Sequence, residues 1–290
     1  MAYEFNLAPK EFSEQGAAFR RRYKTIDDLP ADDYIMMPKY DGCLAIVRAS
    51  DDQLCGVETR AGLRVHSMPY VVAEAKRAMP GYVLFGEAYI HGEPFSKISG
   101  KFRSRDLFHG LCLMAFDAVP LSDWQRQRCD IPYAERLRHL HRALAETECP
   151  NIFPARVYPA RAPRAFADDL VKMGGHDGAI LARKDAPWHS GPSKDGEFIK
   201  VKPVKSLDLK VVGCFPGKGR HSGWAGGITV EYKGVLTDVG TGFSDYERHQ
   251  LWQGGLWGDI AEIEFMELTK DGKLRQPVFK GFRYDKMQAD

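Results

Sequence analysis

Ile35-Met36-Met37-Pro38-Lys39-Tyr40-Asp41-Gly42-Cys43-Leu44-Ala45-Ile46-Val47 carries the sharpest local signal in this chain. The charged tetrapeptide Lys39-Tyr40-Asp41-Gly42 follows one apolar stretch and precedes a strand-length apolar run, Cys43–Val47. Taken alone it is also what a surface turn looks like, its glycine relieving backbone strain. Average residue usage puts a K-x-D-G in roughly 5–10% of chains this long by accident.

Working outward, further charged groups sit on strand candidates or at their mouths. They fall in Thr59-Arg60-Ala61-Gly62, Phe85-Gly86-Glu87-Ala88, Met114-Ala115-Phe116-Asp117, His176-Asp177-Gly178-Ala179-Ile180-Leu181 and Glu197-Phe198-Ile199-Lys200-Val201-Lys202-Pro203. The last has a readable geometry. On a strand with period two, Lys200 and Lys202 share one face while Ile199 and Val201 share the other. Two cations on one face repel unless an anion sits between them; the alternative is a solvated edge strand blunted by lysines.

Strand-like runs at Cys43–Val47, Tyr82–Tyr89, Leu111–Val119, Ala179–Leu181 and Phe198–Val201 are interrupted by two helical patterns. Tyr133, Leu137, Leu140 and Leu144 follow Asp130 and Pro132; Phe166, Leu170 and Met173 end at Gly174 and Gly175. After Pro203 the texture changes to Gly-punctuated strand candidates, Leu207–Phe215, Ile228–Tyr232, Val235–Val239 and Ile260–Leu268, in a segment the size of a small β-barrel. The expected organisation is therefore α+β, with one domain over 1–203 and a second over 204–290.

Composition sets limits on function. Of 290 residues 44% are hydrophobic and 28% charged, which excludes disordered and fibrous classes. Lys plus Arg (41) nearly cancels Asp plus Glu (39), so a basic surface for nucleic acid has to be local. Charge is balanced in each half as well, 29 against 27 and 12 against 12, so only texture separates the domains. Six cysteines without a C-x-x-C pair, and a start with no apolar run, point to a reduced cytoplasmic protein without structural zinc or a membrane span.

The K-x-D-G to K-x-K series, in this order, resembles the nucleotidyltransferase motifs of ATP-dependent DNA ligases, in particular the small two-domain bacteriophage-type enzymes. Asp271-Gly272-Lys273-Leu274-Arg275-Gln276-Pro277-Val278-Phe279, with Arg283, Asp285 and Lys286, is similar to the closing motif that ligases carry on an OB-fold. The resemblance implies an ATP-grasp-like nucleotidyltransferase domain of antiparallel sheets with flanking helices, followed by an OB-fold β-barrel. It further implies a monomeric enzyme acting on nicked duplex DNA in replication, repair or recombination, with ATP and Mg²⁺ or Mn²⁺ as cofactors.

By that resemblance Lys39 attacks the α-phosphate of ATP, AMP passes to the 5′-phosphate of a nick, and the 3′-hydroxyl displaces it. A lysine at its free pKa costs roughly 4–5 kcal/mol to deprotonate at pH 7. A cation about 4–5 Å away supplies at most ~3–4 kcal/mol of that, which gives Lys200, Lys202 and a divalent metal a purpose. Glu87 and Asp177 match the acids for metal or ribose contact, Asp41 the acid near the 3′-hydroxyl, and Phe116 the aromatic that stacks on adenine. Arg60 matches an arginine on the nick's 5′-phosphate and the nucleotide, and Arg275 and Arg283 match groups that orient pyrophosphate once the second domain folds over the first, about a hinge at Val204–Ser206. DNA contact is expected from two basic loops, Lys97–Arg105 with Lys97, Lys101, Arg103 and Arg105, and Pro216–Trp224 with Lys218 and Arg220.

Three positions depart from the family pattern. Leu44 stands where arginine is usual, with Arg48 about 13 Å further along a strand. Asp177 replaces a glutamate, and Ala182 a lysine, for which Lys184 shares the face. Fewer than forty residues precede Lys39, so no separate N-terminal DNA-binding domain is expected, and Lys10, Arg20, Arg21, Arg22 and Lys24 stand as partial compensation. An RNA ligase, an mRNA-capping guanylyltransferase or a non-catalytic nucleic-acid-binding relative are the alternative readings.

Overall fold

The apolar stretch before Lys39 forms strand β1 (Tyr34–Tyr40) and the run after Gly42 forms β2 (Cys43–Ala49) in the computed structural model of the protein. The structure describes residues 7–50, 55–203, 205–254, 257–265, 268–269 and 271–290. The two strands belong to different sheets, so the tetrapeptide is where the chain passes from one sheet to the other. Gly42 is required there by close approach: a Cβ would lie 2.4 Å from the Ala88 carbonyl oxygen and 2.8 Å from Glu87 Cγ.

The chain divides into two units, Met1–Lys202 and Pro203–Asp290. In the first, the further elements are β3 (Gly56–Thr59), α1 (Tyr70–Ala78), β4 (Tyr82–Tyr89), α2 (Phe95–Phe102), β5 (Cys112–Pro120), α3 (Tyr133–Glu146), α4 (Pro163–Met173), β6 (His176–Arg183) and β7 (Phe198–Val201). Among the described residues they build a six-stranded sheet, ordered Ile152–Pro154, β5, β4, β2, β3, Arg64–Val65, and a five-stranded sheet, ordered Tyr158–Pro159, β1, β6, β7, Lys10–Glu11. Pairing is antiparallel except where Ile152–Pro154 joins β5 and Lys10–Glu11 joins β7.

Strand parity explains which way each residue faces. Met36, Leu181, Ile199 and Val201 enter a core with Ala167 and Leu170 of α4, whereas Met37, Ile180 and Phe198 enter the larger core shared with the six-stranded sheet. Lys39 has the parity of Met37, and Lys200 that of Phe198. Both lysines therefore face the space between the sheets.

The second unit contains β8 (Lys205–Pro216), β9 (Ala225–Tyr232), β10 (Val235–Val239), α5 (Asp245–Trp252), β11 (Ile260–Phe265) and β12 (Val278–Phe282). Its sheet runs β10, β9, β8, β11, β12 around Leu209, Val211, Ile228, Val230, Ile263 and Phe279. Among the described residues the two edges meet at one parallel bridge, Thr241 to Val278, rather than along a ladder, so the expected barrel is a partly open one.

Several expectations are corrected. The stretch Lys97–Arg105 is helix α2 through Phe102, because Phe95, Ile98 and Phe102 recur at helical spacing and the last two are buried. Helix α5 was not anticipated, although Ser244 and Glu247 form a capping box at its start. Strand β11 ends at Phe265; Met266 and Glu267 of the expected Ile260–Leu268 lie outside the described residues. So does Val204, the first residue of the expected hinge.

Candidate active site

A cavity of about 240 Å³ opens between the two sheets. Its polar wall carries Lys39, Glu87, Arg60 and Lys200; its apolar wall carries Met37, Leu44, Phe116, Ile180 and Phe198. Five of the expected site residues are thus brought to one place from five strands or turns. Leu44 pairs in register with Glu87, and its methyl groups line the wall where the family pattern has an arginine.

Two of the site residues stand on β-bulges. In the β1–β6 ladder His176 pairs with Tyr40 and Ala179 with Pro38, so Asp177 and Gly178 together oppose Lys39. Gly178 has φ of 118°, and a Cβ there would lie 2.2 Å from the Val201 carbonyl oxygen. In the β4–β5 ladder Phe85 pairs with Asp117 and Gly86 with Ala115, which leaves Phe116 as the extra residue. Each bulge turns a side chain out of the regular alternation, Asp177 onto Lys39 and Phe116 into the cavity.

Asp177 Oδ2 accepts hydrogen bonds from Lys39 Nζ at 2.7 Å and lies 3.0 Å from Lys202 Nζ. The anion therefore sits between Lys202 and Lys39, not between Lys202 and Lys200 as the strand face alone suggested. Burial works to raise the Asp177 carboxyl, but the two lysines reverse this and hold it below its usual value. Desolvation lowers Lys200, reinforced by Lys39 and Lys202 and opposed by Glu14. Desolvation also pushes Glu87 up to about 8, against the pull of Lys39 and with the help of Asp41. The site is therefore a shallow well of positive charge, with one carboxylate neutralising it and another whose ionisation burial opposes.

Among the described residues no group of three or more His, Cys, Asp or Glu is arranged to hold a metal ion. Mg²⁺ commonly takes only one or two carboxylates and completes its shell with phosphate and water. Glu87, facing the cavity, fits that requirement; Asp177 offers only the oxygen that its lysines leave free.

The other expected residues are distributed as follows. Lys101 and Arg103 sit at the end of α2, where Lys101 lies 4.9 Å from the Phe108 ring centre, and Lys97 pairs with Glu93 at 2.6 Å. Ser67 Oγ donates to the Phe102 carbonyl at 2.9 Å, Phe108 N–H to the Ser67 carbonyl at 2.8 Å, and the Tyr70 hydroxyl lies 2.9 and 2.7 Å from the carbonyl oxygens of Phe108 and Leu111. The chain from Phe102 to Leu111, which carries Arg103 and Arg105, is thereby tied down at both ends. Lys184 does not stand in for Ala182: its ammonium is bound to the Asp32 carbonyl, outside the cavity lining. Arg48 is buried in an ion pair with Glu58 beneath Trp124.

In the second unit Arg220 reaches Asp245 at 3.5 Å, and Lys218 and Arg275 are exposed. Arg283 is more committed than the sequence suggested. Its Nη1 lies 3.1 and 3.0 Å from the two oxygens of Asp208, and Nε and Nη2 bind Asp285 at 2.9 and 2.8 Å.

Sequence reasoning missed the supports behind the site. Arg136 of α3 forms two parallel bonds to Asp117, at 2.8 and 2.9 Å, with both side chains almost fully buried. Glu197, at the entry to β7, accepts bonds from Ser193 Oγ, Lys194 N and Asp195 N at 2.8, 3.0 and 2.9 Å, with His189 Nε2 at 3.4 Å. Burial opposes its ionisation, but His189 and these donors prevail and depress the carboxyl to about 2. A depressed carboxylate stabilises the fold above its ordinary value of 4.5 and loses that contribution as pH falls toward about 2. Glu197→Gln should consequently flatten the decline in urea midpoint between about pH 5 and pH 2. Parallel declines in variant and wild type would show that this carboxylate carries no acid sensitivity.

Comparison with known proteins gives the fold its relatives. Residues 216–283 match the profile of a DNA ligase OB-like domain. A DNA ligase of Archaeoglobus fulgidus is 27% identical over 290 residues, covering 86% of this chain and 51% of the relative. One from Cenarchaeum symbiosum is 29% identical over 180 residues, covering 55% and 30%. A solved Lig E DNA ligase superposes with a TM-score of 0.55 over 96% of this chain and 98% of its own, at 24% identity. The chain is similar in sequence to DNA ligases and has their fold. The ATP-dependent DNA ligase of bacteriophage T7, solved with ATP, agrees at a TM-score of 0.54, with 19% identity over 97% and 99% of the two chains. The ligase fold thus accounts for both units. The chain spans about half the length, or less, of the two archaeal ligases that it matches in sequence.

Proposed function

We propose that the chain seals 5′-phosphate/3′-hydroxyl nicks in duplex DNA with ATP. The observation that carries the reading is the juxtaposition of Lys39 and Lys200 with Glu87, Arg60 and Phe116 around one apolar cavity. In the first step a bond forms between Lys39 Nζ and the α-phosphorus, the bond to pyrophosphate breaks, and the amine loses its proton. Lys200 and Lys202 stabilise negative charge on the phosphoryl oxygens. Phe116 stacks on the base, and the apolar wall excludes water from it.

In the second step the nick's 5′-phosphate oxygen takes the AMP from Lys39, with Arg60 gripping the phosphate through its planar fork of donors. In the third the 3′-hydroxyl attacks that phosphate, AMP leaves, and Asp41 orients the hydroxyl or receives its proton. Glu87, with Asp177 as the second acid, would hold Mg²⁺ or Mn²⁺, which when bound supplies Lewis-acid charge to the phosphates. Lys97, Lys101, Arg103, Arg105, Lys218 and Arg220 would contact DNA phosphates without reading sequence.

The test is incubation with α-labelled ATP and Mg²⁺, followed by a denaturing gel and a nicked duplex. Covalent label that chases into sealed DNA is expected; a chain that takes no label has kept the scaffold without the activity. Nicked RNA and GTP, run alongside, separate the reading from an RNA ligase or a capping enzyme.

Arg275 and Arg283 are assigned to the leaving pyrophosphate. Arg283→Ala should slow self-adenylation by about 100-fold and largely spare sealing of a nick that already carries AMP. Equal loss of both reactions would mean that its bonds to Asp208 and Asp285 are its whole purpose.

A further inference from the structure

Tyr133 occupies a position behind the cavity that nothing in the ligase reading uses. It is fully buried. Its hydroxyl donates to the Phe116 carbonyl oxygen at 2.8 Å and lies 3.1 Å from Met37 Sδ. Its ring meets that of Phe198 edge-on, with centres 4.8 Å apart. Phe116, Met37 and Phe198 all line the cavity, and they come from β5, β1 and β7. One side chain of α3 therefore braces three walls drawn from both sheets. Tyr133 N–H donates to the Ala186 carbonyl at 3.0 Å, and Arg136, one turn on, is locked to Asp117, so the brace is itself held at both ends.

The Phe116 bond is the informative one. Phe116 is the unpaired residue of the β4–β5 bulge, so the regular ladder assigns it no partner strand residue. The Tyr133 hydroxyl satisfies the partly buried carbonyl of the bulge residue, and fixes the backbone from which the aromatic ring projects.

We propose that Tyr133 is a positioning residue for the base of the bound nucleotide, acting through Phe116, Met37 and Phe198 without touching the nucleotide. This rests on the ligase reading of the cavity. Lys39 and Lys200 lie two residues beyond Met37 and Phe198 on the same strands, about 7 Å further along. The brace therefore governs the apolar end of the cavity, where a planar base would stack, and not the phosphate end.

Tyr133→Phe removes a single oxygen and tests this directly. The KM for ATP in self-adenylation should rise about 3–10-fold, the rate at saturating ATP should stay within about twofold, and inhibition by inorganic tripolyphosphate, which has no base, should be unchanged. An unchanged KM with only a lower melting temperature would overturn the proposal, as would parallel weakening of ATP and tripolyphosphate. Should Tyr133→Phe fail to fold, Tyr133→Trp, which keeps a buried ring and a donor, is read by the same ratio of ATP to tripolyphosphate affinity; a ratio equal to wild type overturns the proposal. A wild-type chain that takes no label from ATP sinks the ligase reading as well, whereas a labelled wild type with an unaltered variant sinks this inference alone.

Discussion

Lys39→Ala should carry no covalent nucleotide after incubation with α-labelled ATP and Mg²⁺, and should seal no nick that lacks AMP. Among the described residues Lys39 and Lys200 are the two amines that line the cavity. Lys200 projects into the same cavity from β7, with β6 between it and β1, but Lys39 stands opposite the bulge and is bound to Asp177. The loss should not come from unfolding. The Lys39–Asp177 pair is partly exposed, with side chains 25% and 37% accessible, and Lys202 remains to neutralise Asp177. Removing such a pair costs at most about 1 kcal/mol, so the melting temperature should move by no more than a few degrees. Labelling that persists at another residue would refute the assignment of the nucleophile.

The largest effect on stability is expected at Asp117. Its carboxylate and the Arg136 guanidinium are 3% and 1% accessible, and Arg136 also donates to the carbonyl oxygens of Ile131 and Ala186. Asp117→Ala leaves a guanidinium buried without its anion, a change that typically costs about 3–5 kcal/mol. For a unit of this size that corresponds to a fall in melting temperature of about 10 °C. Replacing both partners by apolar residues, Asp117→Leu with Arg136→Met, should recover most of the loss, because neither change then strands a charge. A single variant that melts with wild type would show that the pair contributes no net stability.

What the sequence disclosed and what it withheld follow from the range of the interactions. Strand parity is local, so the common face of Lys200 and Lys202 and the inward turn of Lys39 could be read from period two. The end of α4 at Gly174 was equally legible. Bulges are not local: whether Phe116 or Asp177 is the extra residue depends on the partner strand, and only Gly86 and Gly178 hinted at irregularity. Arg283 meets Asp208 from 75 positions away, a pairing that no spacing rule anticipates. Helix α2 was misread for a different reason. Gly100 and four cations within nine residues outweighed the apolar spacing of Phe95, Ile98 and Phe102, although the cations lie on the solvent side, where they cost the helix little.

The ties from Ser67 and Tyr70 to the segment after α2 bear on how that segment would meet DNA under the proposed function. A flexible basic loop has to surrender chain entropy at the moment of association, and coupled ordering of that kind leaves a large negative heat-capacity change. Here the ordering belongs to the folding of the domain. On the proposed reading Lys101, Arg103 and Arg105 would meet DNA as a preformed surface, and the free energy of contact would be dominated by the release of counterions, which is governed by salt rather than by temperature.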